Sequence, residues 1–340
     1  MKYRQLGDTG VFVSELCLGT MTFGGRGQMW ERIGGLDQPA VDGIVHRALA
    51  AGINFVDTAN VYSAGESETM LGKALGNKRH DVVLATKVRG RMGNKANQVG
   101  LSRRHVLEAV EASLSRLGTD YIDLYQIHRF DPLTHLEDTL GALDDLVRAG
   151  KVRYIGCSNL AAWQLMKALA ISRERRLERF RCTQSYYSLV GRELEREMIP
   201  LLKDQGLGLL VWSPLAGGFL SGKFTREGGD AAARRTNFDF PPVNKEKGFA
   251  VLDVLRAVAA QRQASVAQTA LAWILANDAV TSVIIGARNV AQLDDNLKAV
   301  DVALSPEDLA AIDEASRLVP EYPAWMDALG SDRRPGERRF

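Results

Sequence analysis

Three features of the sequence predict an α/β chain folded as a (β/α)8 TIM barrel. Short apolar runs alternate with amphipathic stretches from end to end, and eight runs are the number that closes such a barrel. The runs are mostly continuous rather than alternating in polarity, as expected of parallel strands covered on both faces. Nearly every run stops at a polar residue or a glycine, so one rim of the barrel gathers reactive side chains. A doubly wound sheet is disfavoured: Gly19-Thr20-Met21-Thr22-Phe23-Gly24-Gly25 follows the first run, and no helix opens directly behind it.

The elements follow in order. Gly7-Asp8-Thr9-Gly10 is a turn signal between two short β-type runs, so residues 3–14 read as a hairpin that plugs the barrel floor. The eight strand runs are 15–19, 54–57, 82–87, 121–128, 152–157, 181–185, 208–212 and 282–286. Helical stretches are expected at 41–51, 66–75, 102–117, 136–149, 161–171 and 193–203. Ser102 caps the third of these, Val106, Val110, Leu114 and Leu117 form its apolar face, and Gly118 closes it. Gly150 closes the fourth. Ser305-Pro306-Glu307-Asp308 opens a C-terminal helix with a cap, a proline at the first helical position and acids in the first turn. One domain is expected over 1–340: hairpin 3–14, barrel about 15–300, then a helix and tail at 305–340. Three long connections, 24–39, 89–101 and 215–248, are expected as loops over the C-terminal face, where long loops often bind ligands. Met29 and Trp30 in the first either line a substrate pocket or pack on the barrel.

The composition narrows the function. Hydrophobic residues make up 46% of the chain, enough for a large core. A net charge of +2 gives no case for nucleic acid or an acidic membrane surface. The basic tail at 333–339 reads as a solvated terminus. Cys17, Cys157 and Cys182 lie inside apolar runs without paired spacing, which fits buried thiols in a reducing compartment. The first residues lack an apolar signal core, and no apolar stretch approaches the roughly 20 residues of a membrane span. The cytoplasm is the expected location. Oligomeric state is not legible, since no heptads stand out.

Asp57, Lys87 and His128 each end an apolar run, and Tyr62 lies on the loop after Asp57. Lysine is depleted in strands and costly to bury unpaired, so Lys87 asks for a partner. Asp57 is the natural one. A fixed cation beside Tyr62 would bring the phenol's pKa down from about 10 toward the working range. Tyr62 would then protonate a carbonyl oxygen as hydride reaches its carbon, with His128 orienting the same oxygen. No side chain supplies a hydride, so a nicotinamide must.

Rival chemistries fare worse. His128 stands alone at the mouth, without an HxH or HExxH pair, so no metal is expected. His46, His80, His105 and His135 read as structural. Ser158 and Ser213 lack a Gly-x-Ser-x-Gly elbow, and Asp57 lacks the second carboxylate of a glycosidase.

These residues resemble the aldo-keto reductase superfamily, in particular its long-chain bacterial type and the branch similar to potassium-channel β subunits. The resemblance is carried by Gly52-Ile53-Asn54-Phe55-Val56-Asp57-Thr58-Ala59, Tyr62, Ala85-Thr86-Lys87, Leu124-Tyr125-Gln126-Ile127-His128, Gly156-Cys157-Ser158-Asn159, Trp212-Ser213-Pro214-Leu215 and Gly286-Ala287-Arg288-Asn289. It implies carbonyl reduction by NADPH without a metal, with Tyr62 as acid/base and Asp57, Lys87 and His128 completing a tetrad. It further implies that Ser158, Asn159 and Gln184 bind the nicotinamide carboxamide and that Tyr186 stacks on the ring. Gly19, Thr20, Met21, Asp57, Trp212 and Pro214 join the cofactor set. Ser213, Leu215, Gly217 and Lys223 would line the pyrophosphate. Gly286, Arg288, Gln292, Asp295 and Asn296 would hold the adenosine end.

The chain departs from the Lys-Ser-x4-Arg pattern of many members, and Arg288 is the residue that compensates by pairing with a 2′-phosphate. NADPH is thus favoured over NADH. The expected partner is a small carbonyl or alcohol substrate. Two alternatives stay open: a cofactor-sensing regulatory subunit with little turnover, and an alcohol or sugar dehydrogenase working mainly in the oxidising direction.

Overall fold

Tyr3–Gln5 (β1) and Phe12–Ser14 (β2) pair antiparallel, with Tyr3 opposite Ser14. The Leu6 amide donates to Val11 O at 2.8 Å and closes the turn. Gly7 takes φ +56° there, and a Cβ on it would sit 2.4 Å from Arg181 O, so only glycine fits. Leu6 and Val13 are fully buried against Cys17, Phe55, Ala85, Leu124, Cys182 and Leu210. The hairpin therefore stops the floor of the barrel with its own apolar side chains.

The computed structural model describes residues 1–229 and 234–327. The Met29 side chain and the tail beyond 327, both singled out above, lie outside the described residues. Eight parallel strands close the barrel: Leu16–Gly19 (β3), Phe55–Asp57 (β4), Val83–Val88 (β5), Ile122–Ile127 (β6), Val152–Ser158 (β7), Phe180–Tyr186 (β8), Gly208–Trp212 (β9) and Val280–Ile285 (β12). Each pairs with its sequence neighbour, and β12 returns to β3 with Val283 opposite Leu16. The registers set Gly19 beside Asp57, Lys87 beside Gln126, and Ser158 beside Gln184. The predicted strand ends thus share one rim.

Helices cover the outside: Gln38–Ala50 (α2), Glu66–Leu75 (α3), Arg103–Leu117 (α4), Leu136–Arg148 (α5), Ala162–Arg175 (α6) and Met198–Gln205 (α7). Ser102 Oγ accepts the His105 amide, and Gly118 ends α4 at φ +64°. The stretch expected at 193–203 splits into a single turn at Glu193–Glu195 and α7. Pro200 is the cause: without an N–H it belongs in a first turn, so α7 starts just before it.

The long connections carry structure of their own. Residues 24–39 hold the short helix Gln28–Ile33 (α1), and residues 215–248 hold Phe224–Thr225 (β10), Gly228–Gly229 (β11) and Arg234–Asn237 (α8). Helices α1 and α8 approach one another over the mouth. Lys245–Arg262 (α9) and Val266–Leu275 (α10) precede β12, and α10 opens on a capping box of Ser265 and Gln268. Val290–Leu297 (α11) and Pro306–Ser316 (α12) complete the layer, the latter capped by Ser305 as its sequence predicts. No helix among the described residues is long and apolar enough to cross a membrane.

Candidate active site

Lys87 lies near the end of β5 with its whole side chain inside the barrel, and it is completely buried. Its Nζ donates to Asp57 Oδ2 at 2.5 Å, to Thr58 O at 2.8 Å and to the Tyr62 hydroxyl at 3.4 Å. Burial alone would lower the Lys87 pKa, but the Asp57 carboxylate and the Tyr62 phenol outweigh it and raise the value. Asp57 accepts two further bonds on Oδ1, from Gln126 Nε2 at 3.0 Å and Gln184 Nε2 at 2.8 Å. Three donors thereby meet the buried carboxylate, and the cation opposite it is fixed in place.

The Tyr62 ring sits between two others. Trp30 approaches edge-on with centroids 5.4 Å apart, and His128 edge-on at 5.8 Å. Trp30 comes from α1, so the first long connection delivers an indole to the mouth. His128 follows β6, and its backbone amide donates to Val88 O at 2.9 Å. Burial, then the charges of Lys87, Arg129 and Arg89, push its pKa down to about 3. The imidazole is therefore neutral across ordinary pH, with one N–H to donate.

Beyond β6 the rim turns polar and aromatic. Asn159, in left-handed backbone at φ +56°, donates to His128 O at 3.1 Å and to Ser158 Oγ at 2.8 Å. Its Oδ1 accepts from Trp212 Nε1 at 3.0 Å, which ties the ends of β6, β7 and β9 together. The Tyr186 ring centroid lies 5.2 Å from that of Trp212, and Phe240 stacks on the same indole at 5.9 Å. Ser213 Oγ accepts the Gly217 amide at 2.9 Å in the turn that leaves β9. A Cβ on Gly217 would meet Phe240 O at 2.2 Å, so the loop folds tightly back on that glycine. Pro214 is buried beneath the turn, Leu215 is half-buried, and Lys223 is exposed at its far end.

The last stretch lies after β12. Arg288 N donates to Gln292 Oε1 at 3.0 Å, and the Asn289 side chain caps α11. Asn296 Nδ2 donates to Gly286 O at 3.4 Å. The Asp295 carboxylate accepts from Gln268 at 2.7 Å and Ser265 at 3.1 Å, so it holds α10 to α11. At the other end of the site the Thr20 hydroxyl is engaged with Ser67 at 2.9 Å, and Met21 is half-buried beside it. Gly19 has a Cβ position only 2.6 Å from Ile284, which lets β3 and β12 close.

Two residues that sequence reading left without a role belong to this constellation. Gln126 is fully buried and bonds Asp57. A glutamine inside an apolar run, two positions before His128, was the available signal, since i and i+2 share a strand face. Arg235 is buried, donating to Ala216 O at 2.6 Å and Pro241 O at 2.8 Å. It stitches the two arms of the 215–248 connection, which the sequence alone does not bring together. Among the described residues no group of three or more His, Cys, Asp or Glu side chains is placed to hold a metal ion.

The sequence model of the Aldo/keto reductase family matches residues 15–317. The chain is 39% identical to an uncharacterized oxidoreductase, YrpG, of Bacillus subtilis, over 96% of this chain and 100% of that one. It is 37% identical to a versiconal hemiacetal acetate reductase of Aspergillus parasiticus, over 92% and 96% of the two chains. A probable voltage-gated potassium channel subunit beta of Oryza sativa is 35% identical, over 95% and 98%. A closed eight-stranded barrel with this rim, matched along nearly its whole length, belongs to the aldo/keto reductase family of oxidoreductases.

Proposed function

We propose that this chain is an NADPH-dependent reductase of aldehydes and ketones, with Tyr62 as the general acid. The observation that carries the reading is the phenol oxygen of Tyr62 held 3.4 Å from a buried ammonium that Asp57 neutralises. A cation there stabilises the phenolate left when the proton departs. Neutral His128 donates its N–H to the substrate oxygen and so orients the carbonyl. Bound reduced nicotinamide supplies the hydride. Tyr62 gives its proton to the oxygen and is reprotonated from solvent, so each turnover takes up one hydride and one proton and yields the alcohol.

The donor set suits that cofactor. Hydroxyl and amide groups at Ser158 and Asn159, the Tyr186 and Trp212 rings, the Gly217 turn and the Arg288 guanidinium follow one another along the rim. They match an amide, a ring, a pyrophosphate and a phosphorylated ribose in that order. Arg288 favours NADPH over NADH, because a guanidinium pairs with a 2′-phosphate. Gln184 spends its amide on Asp57, so its bond to the nicotinamide requires that contact to be shared or exchanged.

The test is NADPH oxidation with a reactive aromatic aldehyde, comparing the intact chain with Tyr62→Phe. Turnover in the parent and a loss of at least about a hundredfold in the variant are expected. Bound NADPH without turnover in the parent, across carbonyls and alcohols alike, would instead support a regulatory subunit, in keeping with the channel-subunit relatives.

A further inference from the structure

Two arginines stand at the rim beside the reacting position and have no assigned role. Arg89 follows β5, the strand of Lys87, and Arg129 follows His128 at the end of β6. The two strands are neighbours, with Val88 opposite Ile127, so both arginines sit at the same corner of the mouth. Arg89 has φ +137°, a conformation that L side chains rarely adopt. Its backbone is held by the Gly100 amide on Arg89 O at 3.0 Å, and its Nε donates to Phe130 O at 3.3 Å. Arg129 is exposed.

Neither arginine forms an ion pair with a described carboxylate. Asp131, the acid whose charge reaches Arg89, spends its oxygens on the Leu101 amide at 2.8 Å, the Thr134 hydroxyl at 2.8 Å and the Leu133 amide at 3.2 Å. The adjoining segment between Asp81 and Glu108 contains no acidic residue at all. Burial, and then the Arg129 charge, disfavours the Arg89 cation, and the Asp131 carboxylate offsets this only in part. The cofactor cannot supply that anion. In the closed ring, β5 lies opposite β9, and β6 opposite β12, the strands that lead to Ser213 and Arg288. The phosphates belong on that far side.

From this corner we infer that the enzyme's substrate is an anionic carbonyl compound, an aldehyde or ketone whose far end carries a carboxylate received by Arg89 and Arg129. The inference rests on the reductase reading, and it names the substrate class for the same site. A planar guanidinium offers paired donors to a carboxylate, and a charge-assisted bond discriminates well against a neutral ester of the same shape.

The experiment compares 4-carboxybenzaldehyde with its methyl ester, using the full chain and NADPH. The carboxylate should have a kcat/KM at least about tenfold higher than the ester, mainly through KM. In Arg129→Gln that preference should fall about tenfold, and Arg129→Lys should restore part of it. Arg129 is exposed and has no ion pair to lose, so these variants should fold. Calorimetric binding of 4-(hydroxymethyl)benzoate against its methyl ester to the NADP+-loaded chain reads the subsite without hydride transfer. Equal kinetics for acid and ester, or a preference untouched by Arg129→Gln, overturns the subsite and leaves the reductase standing. Arg129-dependent binding of the benzoate with no turnover of either aldehyde sinks the reductase reading and keeps an anion site.

Discussion

Lys87 is fully buried, and so almost every consequence at the residue scale runs through its ion pair with Asp57. A buried pair is weak evidence for net stability, but removing one partner strands the other charge. Lys87→Met should therefore abolish turnover and also destabilise the fold by about 3 kcal/mol. The loss stays at the low end of the roughly 3–5 kcal/mol typical of a broken buried pair because Gln126 and Gln184 still donate to Asp57. Lys87→Met combined with Asp57→Asn should recover most of the stability and none of the activity. Urea unfolding of the parent, Lys87→Met, Asp57→Asn and the double variant, with NADPH oxidation alongside, checks both halves. A double variant no more stable than Lys87→Met would mean that the two charges are not coupled. The sign with pH at the alkaline end is fixed by the raised Lys87 pKa: the stability its shift contributes is fully present below about 10.5 and is lost as pH rises from there through the higher folded-state value. Asp57, Lys87 and His128 were legible in the sequence because a charged or polar residue ending an apolar run is conspicuous. Gln126 was not, because one neutral amide in a strand carries no comparable penalty until the structure shows which carboxylate it meets.

At the scale of elements, the strands were the readable part and the connections were not. Strand runs are continuous and end abruptly, and the observed bounds lie within two residues of those predicted at every end, with Gly208–Trp212 coinciding at both. Local punctuation also carried through, as at Ser102, Gly118 and Ser305. The connection 215–248 depends on contacts between its own distant arms, such as Arg235 to Ala216 and Pro241. No local pattern encodes those. Gly217 is the point where this loop is tightest, with φ +67° and Phe240 O 2.2 Å from the place a Cβ would take. Alanine there costs about 1–2 kcal/mol in backbone conformation and pushes the segment carrying Phe240 outward. Since Phe240 backs the Trp212 ring, Gly217→Ala should raise the Kd for NADPH about tenfold or more while the melting temperature moves only a few degrees. Fluorescence titration with NADPH and thermal melts of the apo chain separate the two effects. An unchanged Kd would remove this loop from the cofactor site.

The whole molecule divides its labour between two ends. The rim holds the buried ion pair, strained backbone at Arg89, Asn159 and Ser213, and the long connections. The floor holds an apolar plug with no titrating role, formed by the hairpin's Leu6 and Val13 against side chains from several strands. In a barrel of this kind, residues at the bottom serve stability and those at the top serve chemistry. Leu6→Ala tests the division. Leu6 is fully buried among its packed neighbours, so truncation opens a cavity that a closed ring of strands cannot readily collapse. The cost should be about 2–5 kcal/mol of unfolding free energy. Turnover should change by less than about twofold at 25 °C, because Leu6 packs in the floor cluster while Lys87, Tyr62 and His128 stand at the rim, and effects of distant sites are close to independent. Urea unfolding and steady-state kinetics on one preparation decide it. A stable variant with impaired kcat would show that the plug sets the geometry of the rim, and that strand tilt, rather than local packing, couples the two ends. A destabilised variant with intact kinetics would mean that the hairpin's role is confined to closing the core.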